Sequence, residues 1–157
     1  MKKLVKTACL LFILSSHISF ANGPLELYWE DMVPPDYETP EVPMDHNGSM
    51  MQMGVDAPVV SSLDGKLVKV PGFVVPLEGD NETTSEFLLV PYFGACIHVP
   101  PPPANQIIYV KFAKAVPVDN LFDAVWVTGT LSTKGWEGDV ATVGYSLQGI
   151  KIQPFDG

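Results

Sequence analysis

From residue 58 to the C-terminus, short apolar runs rich in β-branched and aromatic residues alternate with polar turns. Runs of this length, bounded by Gly, Pro, Asn and Asp, are typical of β-strands. No apolar period of 3.6 residues continues long enough to predict an α-helix. The pattern predicts five strands, at residues 66–77, 85–93, 107–114, 124–133 and 145–152.

The connections between these runs carry signals of their own. Asp64-Gly65 is a hairpin signal that follows a short strand or turn at residues 59–62. Pro71-Gly72, Gly129 and Gly149 interrupt three of the runs, and such residues mark bends or bulges. Small closed barrels need bends of this kind. We therefore predict an all-β fold, a small five-stranded OB-like barrel. A β-sandwich is the alternative, although five strands are few for two sheets.

Residues 22–57 differ from the barrel because prolines and acidic residues alternate there. The cluster of Leu27, Tyr28 and Trp29 is expected to anchor this segment on the domain, and residues 26–32 fit a short helix. A methionine-rich stretch follows at residues 44–53. We interpret residues 22–57 as an extended acidic and Met-rich N-terminal arm, and residues 58–157 as the barrel.

The first 21 residues have the three parts of a secretory signal peptide. Lysines begin the segment, an apolar run occupies residues 4–14, and Ser19-Phe20-Ala21 forms a small-x-small cleavage triplet. The apolar run is shorter than the roughly 20 residues that cross a bilayer. We predict cleavage after Ala21, a periplasmic location and no integral membrane span afterwards. A retained anchor is the alternative.

The mature chain is strongly acidic. Cleavage removes three of the nine lysines and no acidic residue, which leaves six basic residues against eighteen acidic ones and a net charge of −12. Such a surface repels nucleic acid, so no nucleic-acid partner is expected. The sequence also lacks a Gly-rich phosphate loop, G-x-S-x-G and H-E-x-x-H. We therefore predict a protein without enzymatic activity.

One segment combines a cysteine, a histidine and four prolines. Cys96 is alone in the exported chain because Cys9 leaves with the signal peptide. In an extended chain residues i and i+2 point to the same side, so Cys96 and His98 are expected to project together. Thiolate and imidazole suit Zn²⁺ or Cu⁺. The prolines at residues 100–103 would stiffen the chain behind this pair.

The metal interpretation needs further ligands, because a closed zinc site takes four. They would come from His46, an acidic residue, solvent or a second molecule. Two other interpretations stay open. Cys96 is a small core residue in one, with His98 bonded to the backbone. In the other, the pair forms a nucleophile, which would require a third orienting group and an oxyanion site.

The methionine-rich stretch is a separate signal. Thioether groups near a histidine in an exported chain are typical of Cu⁺ binding, and Met44, Met50, Met51 and Met53 flank His46 in this way. Packing of Met44 in an otherwise irregular loop explains the same residues without a metal.

The run from Phe87 to Gln106, FLLVPYFGACIHVPPPPANQ, resembles the signature of an exported bacterial family known as domain of unknown function 3299. Further stretches at residues 27–32, 70–78, 126–131 and 144–147 agree with it. The resemblance implies a periplasmic accessory protein, since some members lie near ABC-type transporter components linked to zinc uptake. It implies no activity and no ligand set.

These observations lead to two hypotheses of function. The first is a non-enzymatic accessory protein of the periplasm that binds a metal ion, zinc ahead of copper, through Cys96 and His98, with His46 as a further ligand. The second is an interaction module that docks on a membrane transport complex, through its acidic face or its proline segment, without binding metal.

Overall fold

A computed structural model of the chain describes residues 23–38, 51–79, 82–96, 101–118 and 123–156. The predicted signal peptide at residues 1–21 lies outside these ranges. All regular elements in the described ranges are strands or short 3₁₀ helices. The strands are β1 (Leu25–Glu26), β2 (Leu67–Gly79), β3 (Thr83–Val90), β4 (Ile108–Pro117), β5 (Val125–Ser132), β6 (Trp136–Glu137), β7 (Thr142–Val143) and β8 (Tyr145–Pro154).

Five strands close into a barrel. They follow the order β2-β3-β4-β8-β5, and β5 returns to pair with β2. Every neighbouring pair is antiparallel except β4 and β8, which run parallel. The prediction of an all-β, five-stranded OB-like barrel is therefore confirmed, with β1 as an additional strand.

Strand β2 closes the barrel because its two halves have different partners. Residues 67–72 pair with β5, and residues 73–79 pair with β3. Pro71-Gly72 lies at the change of partner, where the sequence predicts a bend. A Cβ atom on Gly72 would lie 2.7 Å from the carbonyl oxygen of Val90, so only glycine allows the strands this approach.

Two apolar clusters lie on opposite sides of the β2-β3-β4 surface, because side chains alternate along each strand. The inner cluster fills the barrel, and the rings of Phe87 and Phe112 stack there with centroids 6.0 Å apart. The outer cluster contains Val75, Leu88 and Val90, covered by the β6-β7 hairpin. Residues 88–90 are buried on both faces of the sheet for this reason.

The N-terminal segment at 23–38 packs on the barrel, as its apolar cluster predicts. Strand β1 pairs in parallel with β2, and Leu27 and Met32 join the inner cluster. A 3₁₀ helix occupies Trp29–Met32. The buried hydroxyl of Tyr145 donates to the Met32 carbonyl at 2.8 Å, which ties this segment to β8.

The sequence predicts a short strand or turn at residues 59–62, and the structure has a 3₁₀ turn at Ser61–Leu63. The hairpin interpretation of Asp64-Gly65 differs from the structure. Asp64-Gly65 does not join two paired strands; the Gly65 amide donates to the Leu131 carbonyl at 2.8 Å, and the chain enters β2 beside β5.

No helix within the described ranges is long and apolar enough to cross a membrane.

Candidate functional site

The segment that follows β3 makes a tight turn that carries Cys96. Gly94 and Cys96 have φ values of 83° and 66°, both in the left-handed region. That region is unusual for a residue with a side chain and costs about 1 to 3 kcal/mol. The turn buries Ala95 against the outer cluster and leaves Cys96 half-buried at its border.

The predicted pairing of Cys96 with His98 assumed an extended backbone. The left-handed conformation of Cys96 breaks the side-chain alternation on which that argument rests. His98 and His46 lie outside the described residues. No group of three His, Cys, Asp or Glu side chains that could hold a metal ion occurs in the described part of the chain. The metal site stays a prediction.

No residue in the described part of the chain activates the thiol of Cys96. Burial raises its pKa to about 11, so the group is protonated near neutral pH. Reactive cysteines have the opposite shift, because cationic neighbours or helix N-termini stabilise their thiolates. A metal ion that binds here must therefore displace a proton.

The proline segment is part of the packed structure. Pro101, Pro102 and Pro103 are buried. Gln52 holds this segment against β7: its Nε2 donates to the carbonyls of Pro102 at 2.9 Å and Thr142 at 2.7 Å, and its Oε1 accepts from the Thr142 amide at 2.8 Å. Sequence reasoning missed Gln52, because nothing local to it indicates a partner 50 and 90 residues away.

An exposed apolar patch surrounds the turn. Tyr92 and Phe93 are 44% and 48% exposed, and the Phe93 ring meets Phe73 of β2 edge to face with centroids 6.1 Å apart. Cys96, which is half-buried, borders the same outer cluster. We call Phe73, Tyr92, Phe93 and Cys96 the Phe93 patch.

The sequence predicts a strand through residue 93, yet β3 ends at Val90. Pro91 is the signal for this end, because proline cannot donate to a strand ladder. The chain turns there, so Tyr92 and Phe93 are displayed on the surface instead of lying in the sheet.

The rest of the outer face is covered by the chain itself. Trp136 of β6 stacks on Tyr109 of β4, with ring centroids 4.7 Å apart and planes at 5°. The Tyr109 hydroxyl donates to Glu86 at 2.6 Å, and Lys111 also binds that carboxylate. These bonds, first that of Lys111, lower the pKa of Glu86. OB barrels often present this part of the sheet to ligands, and here the β6-β7 hairpin occupies it.

Comparisons with known proteins agree with the geometry. The model of a family described as "Protein of unknown function (DUF3299)" matches residues 29–154. The crystal structure of a DUF3299 family protein from Pseudomonas aeruginosa is similar, with a TM-score of 0.78 and 41% sequence identity. The similarity covers 87% of this chain and 99% of that one. No protein with a curated functional description shows significant similarity.

Proposed function

Because the chain belongs to the DUF3299 family, whose description assigns no activity, we propose a function from its own surface: a non-enzymatic, periplasmic interaction module that docks on a membrane transport complex through the Phe93 patch. The signal-peptide pattern of residues 1–21 supports the location. The resemblance to proteins found near transporter components supports the class of partner.

The observation that carries this proposal is the exposure of two adjacent aromatic side chains on the turn that follows β3. Aromatic residues dominate the energetics of protein interfaces because they bury a large area at a low cost in conformational entropy. The Phe93 ring contacts Phe73 edge to face, and Gly94 and Cys96 follow it with positive φ values. The ring contact restrains Phe93 before a partner arrives, which favours affinity.

The charge of the protein indicates the chemistry of the partner. The mature chain is strongly acidic as a whole. A partner with an apolar contact surface and a basic rim therefore fits best. The buried Pro101–Pro103 stretch is not available for docking, so the patch replaces it in the proposal.

We expect a photo-crosslinking amino acid at position 92 to form one discrete adduct with a transport-complex component in living cells. The adduct should persist with Ile150→Asp and disappear with Phe93→Asp. Ile150 is a matched control because it is a more exposed apolar residue, at 64%, on β8. Higher salt during assembly in vitro should weaken the contact, since screening reduces the attraction of a basic rim.

Thermal unfolding of each variant separates loss of docking from loss of fold. Both aspartate variants should melt within a few degrees of the wild type, because both side chains are substantially exposed. Adducts of equal yield in the Phe93→Asp and Ile150→Asp variants would contradict the proposal, as would the absence of any adduct from position 92.

Zinc binding at Cys96 and His98 is the second candidate function. One observation favours it: Cys96 keeps a left-handed backbone that costs energy, and such conformations cluster at functional sites. Its sulfur is half-buried rather than enclosed. His46 would be a further ligand, and copper is the alternative ion.

If zinc binds, the purified protein should retain it near stoichiometry, and Cys96→Ser and His98→Ala should each lose it. Because Cys96 is protonated up to a pKa of about 11, its ionised fraction, and zinc affinity with it, should rise as the pH increases from 6 to 8, by up to about tenfold per pH unit. Zinc at 100 times its dissociation constant should stabilise the fold by about 2.7 kcal/mol.

Elemental analysis measures the retained zinc, and melting temperatures with and without zinc measure the stabilisation. His46→Ala shows whether the third predicted ligand contributes. Equal metal content and equal melting temperatures with zinc in the wild type and Cys96→Ser would contradict the second candidate and leave the docking proposal unchanged.

A further inference from the structure

A cleft of about 390 Å³ lies beside Tyr109, and it is lined by both polar and apolar side chains. Its floor is formed by outward-facing residues of β4, β8 and β5, among them Lys111, Gln148 and Thr130. The turn at Asp64 and the loop residue Lys134 line it as well. This volume is in the range of small-ligand sites in proteins.

Asp64 is held as an oriented acceptor in this cleft. Its Oδ1 accepts the backbone amide of Thr133 at 2.8 Å and the Thr133 hydroxyl at 3.2 Å. The backbone bond is the main cause of a lowered pKa, so the carboxylate is ionised at neutral pH. These two bonds use only one of its oxygens.

Hydrogen bonds also fix the positions of the other polar groups. The Gln148 Nε2 donates to the Lys111 carbonyl at 3.0 Å, which leaves its Oε1 as an acceptor. The Ser146 hydroxyl donates to the Lys134 carbonyl at 3.0 Å, and the Lys134 amide donates to the Ser132 hydroxyl at 3.2 Å. The loop that carries the Lys134 ammonium is thereby fixed to β5 and β8.

The lining combines carboxylate, amide, hydroxyl and ammonium groups with an aromatic ring. Sugar hydroxyls both donate and accept hydrogen bonds, so they suit a surface that offers both functions. Tyr109 contributes apolar ring surface that its stacking on Trp136 keeps in place. Lys134 supplies the cation of the cleft, and its charge also helps to lower the pKa of Asp64. Lys111 is paired with Glu86 instead. A carboxylate on the ligand would meet Lys134.

We propose that this cleft binds a saccharide that carries a carboxylate, with Asp64, Gln148 and Thr130 at its hydroxyl groups and Lys134 at its carboxylate. The site is separate from the Phe93 patch and does not depend on docking or on zinc.

Titration of ¹⁵N-labelled protein with glucuronate, glucose and acetate tests the proposal by amide chemical shifts. Glucuronate should give saturable shifts at residues 130–134 and 146–148, with a Kd of about 1 mM. Glucose should bind about tenfold more weakly, because it lacks the charge-assisted bond to Lys134. Acetate alone should give no saturable shift.

Two variants locate the site, each with a matched control. Lys134→Met should abolish the preference for glucuronate over glucose, and Lys114→Met, an exposed lysine of β4 outside the cleft, should keep it. Thr130→Trp should fill the cleft and abolish binding of both sugars, whereas Thr128→Trp, two residues earlier in the same strand, should not. The control variants and an unchanged amide spectrum elsewhere show that the fold is retained.

No saturable shift with either sugar at about 50 mM would overturn the proposal. Acetate shifts equal to those of glucuronate would also overturn it, since they would show an anion site without saccharide recognition.

Discussion

Phe87→Ala is expected to lower the free energy of unfolding by about 3 to 5 kcal/mol. Phe87 has no exposed surface and lies in the inner cluster, stacked on Phe112. Alanine would leave a cavity that the closed barrel cannot collapse around, because hydrogen bonds to β2 and β4 hold β3 on both sides. The loss of stability combines the lost burial of apolar surface with the free energy of the cavity. It therefore exceeds the loss caused by truncating a side chain on the surface.

Urea unfolding of the wild type and the variant measures this loss, with the midpoint shifted and the slope unchanged. Phe93→Ala is the matched control, because the same side chain is removed from a position that is 48% exposed. We expect it to cost about 1 kcal/mol or less. The two variants should also separate in function: Phe93→Ala should weaken docking in a folded protein. A loss below about 1 kcal/mol for Phe87→Ala would contradict the assignment of this residue to the barrel interior.

The strands could be predicted because the residues that the barrel buries follow a local pattern of apolar and polar positions along the chain. Each of the five predicted runs overlaps one barrel strand, and Pro71-Gly72 and Gly129 lie where the strands bend or change partner. The continuous apolar run at residues 88–90 also predicts a strand, but it does not predict which element covers the second face of that strand. That cover comes from the β6-β7 hairpin, more than 45 residues later, and two-residue strands have no pattern of their own.

The candidate site could be predicted only in part. The sequence identifies the segment around Cys96 by its composition, but the left-handed backbone there results from the turn that packs Ala95 on the sheet. A cysteine gives no local signal for a positive φ, as glycine does at Gly94. The cleft beside Lys134 was not predicted at all, since its lining comes from three strands and two loops that only the barrel topology brings together.

Gly129→Ala is expected to lower the free energy of unfolding by about 3 kcal/mol and the melting temperature by about 10 °C. Gly129 pairs with Val68 on one side and with Gly149 on the other, at the bulge between β5 and β8. A Cβ atom there would lie 2.3 Å from both the Gln148 carbonyl oxygen and the Leu147 Cδ2. The carbonyl belongs to the backbone of β8, so relief requires that β8 move away from β5.

That movement would also displace Leu147 from the inner cluster and distort Gln148 in the cleft. The melting temperature and the binding of glucuronate should therefore both change in Gly129→Ala. Gly23→Ala is the control, because a Cβ atom at Gly23 meets no atom within 4 Å, and its melting temperature should equal that of the wild type. A Gly129→Ala protein as stable as the wild type would show that β5 and β8 are farther apart at the bulge than the structure places them, and the barrel would close differently there.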